Sequence, residues 1–174
     1  MESTSDEVKE VYVQFGLAYC YSEVLHRRLC NLYALSMIPG RGGMTRPRME
    51  EHFAKAYGST FGRIVQLVQP VLPEQLWPRV ATATDLRNYL ANRFWFERVH
   101  LTTTSKGAGE LCVDLTGLTE TLQVLNREVE SLVEPYRIRL GFTGEVFREA
   151  AEKNLLSVKL GLQTTSTRAP TIRR

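Results

Sequence analysis

The stretch TDLRNYLANRFWFERVH, Thr84 to His100, carries three arginines, two asparagines and four aromatic rings with no glycine or proline among them. Since those two residues are the usual interrupters, the run predicts a single helix, capped where Thr84 or Asp85 accepts from a free backbone N–H. Leu86, Leu90, Phe94 and Val99 recur near the helical period and give an apolar stripe for a core. Arg87, Ala91 and Arg98 form a second stripe, and Asn88, Asn92, Trp95 and Val99 a third. Guanidinium and amide groups set among rings must be paired, laid over apolar surface or used for binding.

Outward from this segment, other stripes of the same period appear. Val8, Val11, Phe15, Ala18, Tyr19, Ser22, Leu25, Leu29, Leu32, Tyr33 and Ser36 predict a long first helix from about Ser5 to Met37, ended by Pro39 and Gly40. PGRGGMTRPR, Pro39 to Arg48, reads as a basic loop. Pro47 then opens a short helix closed by Gly58, and Ser59 or Thr60 caps another from Phe61 to Gln69. Pro70, Pro73 and Pro78 punctuate the next connection, with Pro78 in the first turn of the helix that carries the central segment. The polar run Thr102 to Gly109 predicts a break, followed by a long helix from Leu115 to Arg139 that ends or bends at Pro135. Glu145 to Val158 predicts a final helix, and residues 163–174 a disordered basic tail. Leu111 to Val113 gives the sole, weak strand signal. The fold expected is all-α: an antiparallel four-to-five-helix bundle, residues 1–162, with short helices in one crossover.

The 174 residues, 43% hydrophobic and 24% charged, suit one soluble domain with a real core. No apolar run reaches membrane-spanning length and the acidic start is no signal peptide, so a cytoplasmic chain is expected. Cys20, Cys30 and Cys112 form no Cys-x-x-Cys pair. Cys20 and Cys30 would stand about 15 Å apart on one helix, too far for a disulfide, which predicts reduced, buried thiols. His26, His52 and His100 are scattered without ligand spacing, so neither metal nor cofactor is expected.

The net charge of +3 is unevenly spread: residues 1–25 carry −4, residues 26–63 carry +5, residues 107–162 carry −3 and the last 12 carry +3. Arg41, Arg46 and Arg48, with Arg93 and Arg98 of the central segment, are the candidate phosphate contacts if the basic blocks share a face. A solvated connection accounts for the same loop.

RNYLANRFW, Arg87 to Trp95, resembles the Arg-Asn-x-Leu-Ala-His-x-Phe-Phe segment of a group of bacterial HEPN-like helical proteins. The order of FGLAYCYSEVLHRRLCNLYAL, STFGRIVQLV and a later Leu/Glu-rich helix is similar too, so that the likeness spans about residues 10–155. The resemblance implies a four-to-five-helix bundle, usually dimeric, with an Arg, a polar neighbour and a His meeting at a cleft. In active members this is a metal-independent ribonuclease. Such chemistry needs a proton-transfer group near a ribose 2′-OH and a cation for the phosphorane charge. Arg87 and Asn88 carry over, but Asn92 stands where the His is expected, and an amide does not exchange a proton near neutral pH. A second register, Arg93 and His100, places both on one helix face two turns apart, about 10.5 Å. In the alternative, His100 is a helix-end residue compensating the dipole.

Two functional readings follow. One is an RNA-directed HEPN-like protein, catalytically degenerate or weakly active, in a defence, toxin–antitoxin or regulatory system. The other is a homodimeric protein–protein interaction module without nucleic-acid activity, with an antitoxin or another protein as a further partner. Asn92 favours the second, and the basic loop and tail the first.

Overall fold

A computed structural model describes residues 2–40 and 45–141. All its regular elements there are helices: α1 (Ser5–Ser36), α2 (Arg46–Tyr57), α3 (Phe61–Val68), α4 (Trp77–Asn92), α5 (Phe94–Arg98) and α6 (Ser105–Leu140), with 3-10 turns at Gln69–Val71 and Val99–Thr103. The all-α bundle expected from periodicity is the fold. Leu111 to Val113 lies inside α6 rather than in a strand. No described helix is long and apolar enough to cross a membrane.

Three long helices run up, down and up. Side-chain contacts fix their directions: Glu7 meets Ser105 at 3.1 Å, Gln14 meets Thr116 at 3.3 Å, and Arg28 meets Glu130 at 3.1 Å, so α1 and α6 are parallel. Between them α4 descends, with Arg79 on Glu128 at 2.6 Å, Arg87 on Glu23 at 3.1 Å and the Phe94 ring 5.2 Å from Phe15. Successive long helices are thus antiparallel, as expected, and α2 and α3 make the crossover at the top.

Helix ends follow local chemistry. Thr4 and Glu7 form a reciprocal capping box at the start of α1. Pro78 sits in the first turn of α4, where its missing N–H costs nothing. Gly141 closes α6 in the left-handed conformation at φ 80°.

Two expectations are corrected. Thr84 to His100 is not one helix: α4 takes in Thr84 well inside its span, ends at Asn92, and the chain bends at Arg93 with φ −125° before α5. The break at the polar run is shorter than expected, because Thr104, in extended backbone, already caps α6, its hydroxyl accepting from the Gly107 N–H, so this helix starts ten residues earlier than expected. Pro135 lies inside α6, which runs on to Leu140, close to the Arg139 expected. The helix expected at Glu145 to Val158 and the tail 163–174 lie outside the described residues.

The core is in two stacked parts. Above, Leu25, Leu29, Leu32, Ile64, Val68, Val80, Leu122, Leu125 and Val129 join α1, α3, α4 and α6. Below, Val11, Ala18, Leu90, Phe94, Leu111 and Leu115 join α1, α4, α5 and α6. Between them lies a polar waist of Ser22, whose hydroxyl donates to the Tyr19 carbonyl, and Thr119, which donates to Leu115. Thr84 adds a buried hydroxyl with no hydrogen-bond partner.

Candidate protein interaction surface

Where the chain bends at Arg93, the rings of the central segment part company. Phe94 turns inward and is 2% exposed. Trp95 is half-buried, stacked on Tyr12 of α1 at 4.6 Å and tilted against Phe15 at 4.9 Å, with Phe94 edge-on at 5.1 Å. Phe96 is 90% exposed. Successive residues of α5 lie about 100° apart around its axis, so the three rings point in three directions. With α5 set at an angle to α4, Trp95 completes an aromatic ladder with α1, burying ring area and adding edge and stacking contacts.

The candidate polar residues do not converge. Arg87 donates through Nε to Glu23 Oε1 at 3.1 Å, both side chains half-buried, and so neutralises a carboxylate between α1 and α4. Asn88 is exposed, and its backbone carbonyl accepts from the Asn92 side chain at 3.0 Å, one turn back on α4. Asn92 thus spends its amide on a carbonyl of its own helix one turn back. Arg93 lies over the Tyr89 ring at 5.5 Å and 3.9 Å from Glu97. His100 is exposed in the 3-10 turn, its carbonyl accepting from Thr103. With the bend between them, Arg93 and His100 no longer share a helix face. Arg98 pairs with Asp114 of α6, and its Nε is buried without a hydrogen-bond partner. Arg48 is exposed on α2; Arg41 and the side chain of Arg46 lie outside the described residues.

One imidazole that sequence reading set aside does approach the Arg87 pair. His26 stands one turn from Glu23 on α1, its Nε2 3.2 Å from the Ser59 carbonyl and its ring 5.3 Å from Phe61. Burial lowers its pKa, against the pull of Glu23, and Arg87 and Arg27 lower it further. The ring is thereby held neutral as a packing group.

The thiols divide. Cys30 is buried, donates to the Ala56 carbonyl at 3.3 Å, and is pushed up to about 11 by burial, which makes it inert. Cys20, expected to be buried, is exposed on α1, because the helix turns that position away from both α4 and α6. Among the described residues no group of three or more His, Cys, Asp or Glu could hold a metal ion.

What the lower half does present is apolar surface in an acidic setting. Tyr12, Val13 and Leu17 of α1, Phe96 of α5 and Val99 beside it are exposed. Around them Glu2, Asp6, Glu7, Glu10, Glu97, Glu110 and Asp114 outnumber Lys9, Arg93, Arg98 and Lys106. Lys9, Arg93, Arg98 and Lys106 all have a carboxylate within 4 Å, Asp6, Glu97, Asp114 and Glu110 in turn. The exposed residues of α1 were legible as a second apolar period, Val13, Leu17, Cys20 and Val24, beside the core stripe. Compared with known protein families, curated proteins and solved structures, the chain has no match.

Proposed function

We propose that this chain is a protein–protein interaction module that works as a homodimer. The observation that carries the reading is the exposed apolar surface of the lower half, Tyr12, Val13, Leu17, Phe96 and Val99, in surroundings where acids exceed bases. Exposed apolar side chains favour burial against another surface, and net acidic surroundings disfavour a polyanion there. The polar residues of the central segment support the same reading from the other side. Arg87 is held by Glu23, Asn92 by its own helix, and His100 stands apart, so these residues of the central segment do not set a proton-transfer group against a free cation.

Sedimentation equilibrium of the full chain across micromolar concentrations tests this. A dimer is expected, with no change in mass when single-stranded RNA is added at low salt. A monomer throughout would overturn the reading. An RNA complex whose affinity falls steeply with salt would replace it with the RNA-directed one, carried by the basic residues of the chain's other blocks.

A further inference from the structure

Val71, in the 3-10 turn after α3, and Ser131, Leu132, Pro135, Tyr136 and Arg139 of α6 line an open groove of about 380 Å³ on the upper half of the bundle. Val71, Leu132 and Tyr136 pack against the upper core and remain part-exposed, so the groove continues that core outward. Arg139 donates to the Ile38 carbonyl at 2.8 Å and stands 5.0 Å from the centre of the Tyr136 ring, which leaves the lining mainly apolar.

The chain delivers a matching surface to this place. α6 closes at Gly141, whose N–H donates to the Arg137 and Ile138 carbonyls in the left-handed conformation that turns a chain away from its helix. Gly141 to Gly144 is a four-residue connection to the helix that the sequence predicts at Glu145 to Val158, and helices joined at such a length form an antiparallel hairpin. At the helical period Phe147, Ala150, Ala151, Leu155 and Val158 fall within one arc of about 140°. Glu145, Arg148, Glu149, Glu152 and Lys153 fall within the opposite arc, where Leu156 is the apolar exception. A helix of that length is about 21 Å long, whereas the groove takes up residues 131–139 of α6, about 12 Å, directly before the turn.

We propose that residues 145–158 fold back antiparallel along α6 and seat Phe147 in the groove of Val71, Leu132, Pro135 and Tyr136, as a further helix of the bundle. Groove and segment are then joined by a few residues, which gives them an effective concentration that a separate molecule at micromolar levels does not match. Docking removes two apolar surfaces from water at once. The contact lies within one chain and is independent of the homodimer reading.

Hydrogen exchange and NMR of the full chain test it. Amides from Glu149 to Val158 are expected to exchange roughly a hundredfold more slowly than in an unstructured peptide, and the Phe147 ring protons to show Overhauser contacts to the Leu132 methyls. Phe147→Asp puts a carboxylate where an apolar ring should sit, and Ser131→Trp fills the groove from an exposed position of α6. Each is expected to speed exchange in the segment roughly thirtyfold, while the amides of α1 and α4 keep their rates and so report an intact bundle. A mixture of isotope-labelled and unlabelled chains shows whether the ring and the methyls belong to one chain. Unprotected amides in the segment, or protection that neither variant disturbs, would overturn the proposal. Contacts found only between chains would overturn it as well, and would place the segment of a second copy in the groove.

Discussion

Arg87 on α4 and Glu23 on α1 are joined through Nε and Oε1 at 3.1 Å, a contact that ties the descending helix to the first one at the level of the polar waist. His26, one turn on from Glu23, carries its ring toward α3, with Nε2 3.2 Å from the Ser59 carbonyl and the ring 5.3 Å from Phe61. The ion pair is half-exposed, so solvent screens it and its coupling is modest. A double-mutant cycle of Arg87→Ala and Glu23→Ala in chemical denaturation is expected to return a coupling of about 1 kcal/mol. A coupling indistinguishable from zero would mean that the two side chains do not act as a pair in solution.

His26 sets a pH dependence with a definite sign. Its pKa is lowered in the folded chain from the ordinary 6.5, first by burial. The unfolded chain therefore takes up the proton first as pH falls. Stability due to this ring is complete above about pH 6.5, declines as pH drops toward the folded pKa, and is flat below it. His26→Phe is expected to flatten that part of the stability profile, and the His26 ring protons in NMR should titrate below the free imidazole value. A midpoint above 6.5 would contradict the burial.

Two glycines of α6 should respond in opposite directions to a methyl group. At Gly107 a Cβ would press into the Leu101 carbonyl, whose carbon lies 3.0 Å away, where backbone cannot yield. Gly107→Ala is expected to cost roughly 1 to 3 kcal/mol. At Gly117 nothing lies within 4 Å, so Gly117→Ala gains helix propensity, up to about 1 kcal/mol. Denaturant midpoints of the two variants check this, and equal shifts would mean that the start of α6 is looser than described.

Thr84 has a buried hydroxyl without a partner, whereas the Thr119 hydroxyl donates to the Leu115 carbonyl at 2.9 Å. Replacing the first by an isosteric methyl removes an unmet polar group, so Thr84→Val is expected to raise stability by about 1 kcal/mol. Thr119→Val, which gives up a made bond, brings no such gain. Thermal unfolding of both variants decides it; a destabilised Thr84→Val would mean that a water bonds the hydroxyl.

Much of this architecture is legible in the residues, because burial imposes its period on them. Leu25, Leu29 and Leu32, like Leu122, Leu125 and Val129, recur at steps of three and four and are all buried. The bend at Arg93 is not legible: no glycine or proline marks it, and it exists because Trp95 has rings on α1 to stack on, a contact that local sequence does not contain. The same holds for the start of α6. Gly107 and Gly109 read as loop residues, yet Gly107 belongs inside the helix because the chain at Leu101 passes too close for any side chain. Of the candidate site, the sequence marks Arg87 and Asn92 as unusual residues on an apolar helix but not their partners. Glu23 is 64 residues away, and Asn92 turns back on Asn88.

The waist of Ser22 and Thr119 divides labour along the bundle. Helices α2 and α3 pack only on the upper core, whereas the aromatic ladder, α5 and the start of α6 complete the lower one. α1, α4 and α6 are the rails common to both. The surface proposed to meet another protein, Tyr12, Val13, Leu17, Phe96 and Val99, therefore belongs to the half on which neither α2 nor α3 packs, so changes in the crossover are expected to leave it in shape.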